Sequence, residues 1–313
     1  MRIVFCGTPE FGVPTLRRLL SSPEFTVEAV VTQPDRPRGR GQKVSPSAVK
    51  EVAVEAGARI YQPESVKADA AHDFFAQVNP DAVVIIAYGQ IIPRRLLEIP
   101  RLGWMNLHAS LLPRYRGAAP IAWAIGNGET KSGLTTMRVD PGLDTGPILM
   151  QREIKIGDDE TAPELASRMA ELGAPLVLES LIKVERGEIQ PTPQDSSQAS
   201  FAPLLTKEHG RIDWTQTAGE IYNRIRGLAP WPGAFSTFRA RLCHVWGRPG
   251  ATAAAAVGQD VGSMIVNDAA IDVVCGGNTL LRLDALQMEG RKRVSAQEFA
   301  HGARLRSGER FAD

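Results

Sequence analysis

Along the first half of the chain, short apolar runs alternate with stretches whose apolar residues recur at helical spacing. Ile3 to Cys6, Val27 to Val31 and Ala82 to Ala87 are near-continuous runs of β-branched or apolar residues, as strands buried on both faces of a parallel sheet require. Between them the spacing predicts helices over about 10–21, 46–57 and 68–78, the second with Ser45 as its cap and Pro46 at its first helical position. A longer helical pattern over about 162–186 places Leu165, Met169, Leu172, Leu176, Leu181 and Ile182 near helical spacing. Strand–helix–strand order of this kind predicts an α/β domain, a Rossmann-like, doubly wound and mostly parallel sheet.

The texture then changes. Residues 187–200 are polar, contain two prolines and show no apolar period, the composition of a linker. Beyond them a helical pattern over about 216–227 precedes Pro230-Trp231-Pro232-Gly233 and short strand-like runs near 234–238, 241–246, 261–266, 271–275 and 279–287. Asn267-Asp268 and Gly276-Gly277-Asn278 supply turns between the later runs. Short strands at this spacing predict a smaller C-terminal β-barrel, OB-like in size. The expected organisation is a first domain over 1–189, a linker over 190–208 and a β-barrel domain over 209–313.

Composition narrows the function classes. With 313 residues, 43% of them hydrophobic and 23% charged, the chain can bury a sizeable core. Thirty-six Lys and Arg against 35 Asp and Glu leave no whole-chain field to attract a polyanion. Residues 209–313 hold 13 of these cations against 10 anions, and residues 1–208 hold 23 against 25, a mild bias toward an anionic partner in the second half. No apolar stretch approaches the roughly 20 residues that span a bilayer, and the N-terminal run is too short for a signal peptide. A cytoplasmic protein without a membrane partner is expected. Cys6, Cys243 and Cys275 are far apart and form no C-x-x-C pair, so they predict buried thiols rather than zinc ligands or disulfides.

The first turn, Cys6-Gly7-Thr8-Pro9-Glu10-Phe11-Gly12, stands where a dinucleotide fingerprint would sit, but Pro9 takes the place of its second glycine and no Walker lysine is present. An oxidoreductase or nucleotide-dependent reading loses support. Chemistry is concentrated elsewhere. In Trp104-Met105-Asn106-Leu107-His108 a strand would put Asn106 and His108 on one face, at a strand end where ligands of open α/β sheets bind. A rigid Ala109-Ser110-Leu111-Leu112-Pro113 follows. A second cluster, Val139-Asp140-Pro141-Gly142-Leu143-Asp144-Thr145-Gly146-Pro147, forms a loop between strand-like 134–139 and 148–154. Either aspartate could serve chemistry or merely cap a turn. A third, Gln33 to Lys43, sets Arg36, Arg38, Arg40 and Lys43 among glycines and prolines, free to clamp phosphates or simply solvated.

Taken together, Cys6-Gly7-Thr8-Pro9-Glu10-Phe11, Asn106-Leu107-His108 with Ser110-Leu111-Leu112-Pro113, and Asp140-Pro141-Gly142-Leu143-Asp144-Thr145-Gly146 resemble the folate-dependent formyltransferase family. The resemblance extends over essentially the whole chain, including the Asp35-Arg36-Pro37 loop, the linker and the Pro230-Trp231-Pro232-Gly233 turn. It implies transfer of a formyl group from 10-formyltetrahydrofolate to the α-amino group of methionine esterified to initiator tRNA, without a metal. It also implies catalytic roles for Asn106, His108 and Asp144, a folate-contacting segment at Ser110, Leu111, Leu112 and Pro113 with a cis Leu112–Pro113 bond, and tRNA contacts at Arg36, Arg38, Arg40 and Lys43. The C-terminal domain, with Arg291-Lys292-Arg293 as a further candidate, is expected on the stem backbone, and the enzyme is expected to be a monomer. Formyl transfer to another amine, a sugar amine or glycinamide ribonucleotide, and formyl-folate hydrolysis are the rival readings, with a noncatalytic RNA-binding module behind them. The alanine-rich 251–256 has no counterpart in the resemblance.

Overall fold

The computed structural model describes residues 1–38, 43–250, 258–267 and 270–312. The chain divides into two compact units. The first comprises Met1–Pro120, Lys131–Lys155 and Leu165–Ala202, and the second Ile121–Thr130, Ile156–Glu164 and the chain from Pro203 onward.

The first unit carries strands β1 (Arg2–Gly7), β2 (Thr26–Val31), β3 (Arg36–Arg38), β4 (Lys43–Ser45), β5 (Ile60–Tyr61), β6 (Ala82–Ile86), β7 (Trp104–His108), β8 (Lys131–Arg138) and β9 (Ile148–Lys155). Its helices are α1 (Val13–Ser21), α2 (Ala48–Glu55), α3 (Asp69–Val78) and α4 (Arg94–Leu97). Helix α5 (Pro120–Gly126) passes almost wholly to the second unit, whereas α6 (Ala162–Glu185) belongs to the first from Leu165 onward. The seven-stranded sheet runs β5-β2-β1-β6-β7-β8-β9. Strands β5, β2, β1, β6 and β7 are parallel, and the sheet ends in two antiparallel strands, β8 and β9. The apolar runs explain the order: Ile3, Val4, Phe5 and Cys6 are fully buried in β1, and all of β6 is buried. Strands covered on both faces need no polar alternation.

Helix α1 follows a short 3₁₀ turn at Glu10–Gly12 and has proline in its first turn. Helix α2 is capped differently from the sequence expectation. Ser47, not Ser45, is the N-cap, its hydroxyl accepting from the Lys50 N–H at 3.1 Å, and Ser45 lies in β4. Pairing of β3 with β4 draws Ser45 into extended backbone, so the helix starts at the next residue able to cap. The same pairing makes the arms of the basic loop a hairpin. Gly39 to Gln42, including Arg40, lie outside the described residues.

The second unit holds α7 (Ala218–Gly227), β10 (Phe235–Phe238), β11 (Arg241–Pro249), β12 (Met264–Val266), β13 (Ile271–Cys275), β14 (Thr279–Met288), β15 (Val294–Ser295) and α8 (Ala296–Ala303). Its strands run β10-β11-β14-β13-β12, with β15 on β14. Antiparallel bridges of Ser263 to Arg310 and of Thr237 to Ala312 lay the end of the chain between the two outer strands. This closes the sheet as a barrel and leaves little free edge. The core gathers Trp214, Ile221, Phe238, Val245, Leu281 and Phe311. Residues 251–257, which include the alanine-rich stretch, and Asp268 of one expected turn lie outside the described residues. All three cysteines are buried. Burial pushes each thiol up, Cys243 to about 11 and Cys275 to about 12.

Candidate active site

Strand β7 ends at His108, at the same end of the parallel sheet as the turns that follow β1, β2 and β6. The alternation of a strand gives Asn106 and His108 one face, while Met105 and Leu107 are buried on the other. Asn106 is half-buried, and its side-chain amide has no hydrogen-bond partner among the described residues. His108 is 6% exposed. Its Nε2 lies 2.9 Å from the Tyr115 carbonyl oxygen. A carbonyl only accepts, so Nε2 carries a proton and Nδ1 is the nitrogen left for chemistry.

That Nδ1 faces Asp144 Oδ2 at 3.7 Å, an ion-pair separation too long for a hydrogen bond, and the Asp144 side chain is only 15% exposed. The same carboxylate oxygen accepts from the Gly117 N–H at 2.8 Å. Gly117 stands at φ +118, where a Cβ would lie 2.7 Å from the Ala202 carbonyl oxygen, so the backbone there can turn toward Asp144 only as glycine. Asp140 is used otherwise: its carboxylate accepts from Gly142 N–H at 3.0 Å and from the Thr145 hydroxyl at 2.7 Å, a cap on its own turn. Thus the structure brings Asp144, and not Asp140, to His108.

The segment after β7 is tied down by its own backbone. The Ser110 carbonyl accepts from the Thr135 hydroxyl at 2.6 Å, the Leu112 N–H donates to that hydroxyl at 3.2 Å, and the Gln151 amide donates to the Leu112 carbonyl at 2.9 Å. The Leu112–Pro113 bond is cis. Ser110 and Leu112 are buried, and Leu111 and Pro113 are half-buried. Nearby, the Gln33 amide and Thr8 hydroxyl both donate to the Tyr88 carbonyl, linking three strand-end turns. Burial pushes the Tyr88 phenol well above its ordinary value.

Arg36 is exposed on the β3–β4 hairpin, which leaves the sheet end of β2, and Arg38 pairs with Lys43 across it. Asp35 anchors the hairpin's root: its carboxylate accepts from Lys50 Nζ at 2.5 Å and from the Gln62 amide at 2.8 Å. In the second unit Arg291, Lys292 and Arg293 are exposed, with the Arg293 guanidinium 4.1 Å over the Trp246 ring.

Two features of the His108 neighbourhood have no signature in the sequence. Tyr115 and Gly117 act through backbone groups, and Gln194, in the polar stretch expected as linker, donates to the Asp144 and Gly146 carbonyls at 2.9 and 2.7 Å.

The formyl transferase family model matches residues 1–181, and the model of the formyl transferase C-terminal domain matches residues 204–304. This chain belongs to the formyl transferase family. Full-length likeness runs to the methionyl-tRNA formyltransferase of Solibacter usitatus, 49% identical over 313 residues that cover 100% of this chain and 99% of that protein. The methionyl-tRNA formyltransferase of Geobacter metallireducens is 47% identical over 311 residues, covering 99% and 98%. Among solved structures, the sugar 3N-formyl transferase WlaRD has a TM-score of 0.67 at 18% identity, over 93% of this chain and 99% of its own. HypX from Aquifex aeolicus, in complex with tetrahydrofolic acid, has a TM-score of 0.60 at 16% identity, over 96% of this chain and 47% of that one. At these identities the two structures establish the formyl transferase fold, a Rossmann-like domain followed by an antiparallel β-domain, and nothing finer.

Proposed function

We propose that this formyl transferase moves the formyl group of 10-formyltetrahydrofolate to the α-amino group of methionyl initiator tRNA, giving N-formylmethionyl-tRNA for translation initiation. The observation that carries the chemistry is the Asn106 amide beside the His108 ring at the end of β7, with the Asp144 carboxylate 3.7 Å from Nδ1. The acceptor follows from the full-length likeness at 44–49% identity to methionyl-tRNA formyltransferases. The sugar enzyme shares only the fold and favours no second reading.

Transfer forms a bond from the α-nitrogen to the formyl carbon and breaks the bond from that carbon to the folate nitrogen. Attack needs a neutral amine, and an α-amino group with a pKa of roughly 7.7 to 8.0 needs little help to lose its proton at neutral pH. His108 Nδ1 takes that proton, the Asp144 carboxylate relays it or stabilises the imidazolium by its charge, and the proton passes on to the folate nitrogen as it leaves. As the carbon becomes tetrahedral, negative charge grows on the formyl oxygen, and the Asn106 amide and protonated His108 donate to it. Ser110 to Pro113, held by Thr135 and Gln151, form a fixed wall for the folate donor. Arg36, Arg38, Arg40 and Lys43 meet phosphates near the acceptor end, and the β-barrel domain over 209–313 takes the stem backbone, since duplex RNA hides its bases in a deep groove. The catalytic domain in this reading spans 1–189 and the linker 190–208.

The test is transfer of radiolabelled formyl from 10-formyltetrahydrofolate to charged initiator tRNA, with free methionine, uncharged tRNA and a sugar amine as controls. Label on the charged tRNA, falling as salt rises, is expected. Donor consumption with no label on tRNA would replace this acceptor with another amine or with water.

A further inference from the structure

The loop from Val139 to Pro147 holds Asp144 in the left-handed region, φ +53, uncommon for residues other than glycine though tolerated better by aspartate than by most. The loop's internal bonds, from Gly142 and Thr145 to Asp140, stop short of Asp144 itself. Gln194 supplies what is missing. Its Nε2 donates to the Asp144 carbonyl at 2.9 Å and to the Gly146 carbonyl at 2.7 Å. Its Oε1 accepts from Arg116 Nε at 3.0 Å and from Nη2 at 2.7 Å.

Arg116 is 4% exposed, and among the described residues no carboxylate pairs with it. A buried guanidinium donating twice to one amide oxygen draws charge from the amide and strengthens its N–H groups as donors. Arg116 is itself fixed: its N–H donates to the Ser200 carbonyl at 2.8 Å, and its carbonyl accepts from Ala202 at 2.7 Å. The next residue, Gly117, donates to the Asp144 carboxylate. The two consecutive residues therefore grip Asp144 at both ends, the carboxylate directly and the main chain through Gln194.

We propose that Gln194 is a positioning residue for Asp144, setting the carboxylate's place beside His108 through the main-chain carbonyls of Asp144 and Gly146. This rests on the formyl-transfer reading above. Gln194→Glu keeps an oxygen for Arg116, has nearly the same shape, and replaces both donors with an acceptor facing two carbonyls. Groups that orient a metal ligand are commonly worth about 10- to 100-fold in activity, and orienting a reacting carboxylate is expected to be worth as much. The expected result is therefore a kcat lower by about that factor, with KM for folate donor and tRNA within about twofold of the parent. In an Asp144→Asn background the same substitution should have no further effect on single-turnover rate, because two residues acting as one unit are not additive. Gln194→Met, uncharged and of similar length, goes through the same cycle should the glutamate variant not fold. A parental kcat in Gln194→Glu, or losses that multiply in the double variant, overturns the inference. A parent enzyme that formylates nothing overturns the functional reading instead.

Discussion

The two units solve the problem of strand ends in opposite ways. In the second, the end of the chain lies between the outer strands, with Arg310 on Ser263 and Ala312 on Thr237, so the sheet spends its length on closure. Its buried charges are matched: Asp272 accepts from Arg282 at 3.0 and 3.1 Å, and Arg226 donates to the Gly157 and Glu160 carbonyls and to Asn223. In the first unit the parallel strands end together and stay open, and the loops leaving them are joined by side chains bonding to main-chain groups. Thr135 and Gln151 hold the segment after β7, and Gln194 holds the loop after β8. A packed ring obtains its stability from apolar area, whereas an open strand end can offer unpaired polar groups such as the Asn106 amide. Substitutions should separate the two regimes.

The largest effect is expected at the strand end. In the proposed mechanism His108→Ala and Asn106→Ala each remove one donor to the developing oxyanion, at an expected cost of about 2.7 to 4 kcal/mol of barrier, or about 10² to 10³ in kcat. Thermal unfolding should barely move for Asn106→Ala, since its amide bonds to nothing in the protein among the described residues. Normal turnover by a folded His108→Ala enzyme would remove His108 from the mechanism. Next comes the loop. A Cβ on Gly146 would lie 1.8 Å from the Arg138 carbonyl oxygen, a backbone atom that cannot step aside, so Gly146→Ala must shift the main chain next to Asp144. A displacement on the order of 1 Å at a reacting group can cost about 100-fold. Single-turnover rates should fall by that order while hydrogen exchange in β11, β13 and β14 stays at parental values. Exchange that rises in those strands would break the separation between the units.

The converse substitution is Leu281→Ala. Leu281 is fully buried on β14 among Trp214, Val245 and Phe311. Leucine truncations of this kind cost about 2 to 5 kcal/mol. Exchange should accelerate across β13 and β14 and stay unchanged in β6 and β7, with the chemical step at low temperature retained. Equal acceleration in both sheets would mean that the units unfold as one.

Legibility in the sequence depended on burial pattern and on how far along the chain the partners lie. Strands β1, β2 and β6 could be read directly because burial on both faces leaves an unbroken apolar run, and the pairing of Asn106 with His108 followed from a period of two. The hairpin β3–β4 could not, because Arg36-Pro37-Arg38 has no apolar pattern and pairs over only three residues. Helix α8 carries a local signal in its letters: Ser295 and Glu298 form a capping box, each side chain accepting from the other's N–H. The choice between Asp140 and Asp144 rested on likeness to a family, since it depends on which way a loop folds back. Gln194 was hidden more deeply. Its bonds span 50 and 48 residues to carbonyls that carry no letter of their own, and among prolines and serines a glutamine reads as linker.

The smallest expected effect lies at the start of α2, where Ser47 and not Ser45 is the cap. Ser47 accepts from the Lys50 N–H at 3.1 Å and shares a 2.7 Å hydrogen bond with the Thr32 hydroxyl, both side chains being buried. Ser47→Ala should cost about 1 kcal/mol, within the range of about 0.5 to 2 for lost caps, and it also leaves the Thr32 hydroxyl without that partner. Lys50, one turn into α2, is the residue that pairs with Asp35 at the root of the basic hairpin. Fraying the helix start should therefore weaken tRNA binding before it touches the chemical step. A raised KM for tRNA at parental kcat, in a protein only slightly easier to unfold by urea, is the expected result. A lowered kcat would instead tie this cap to the strand-end chemistry and extend the open region from β7 back to β2.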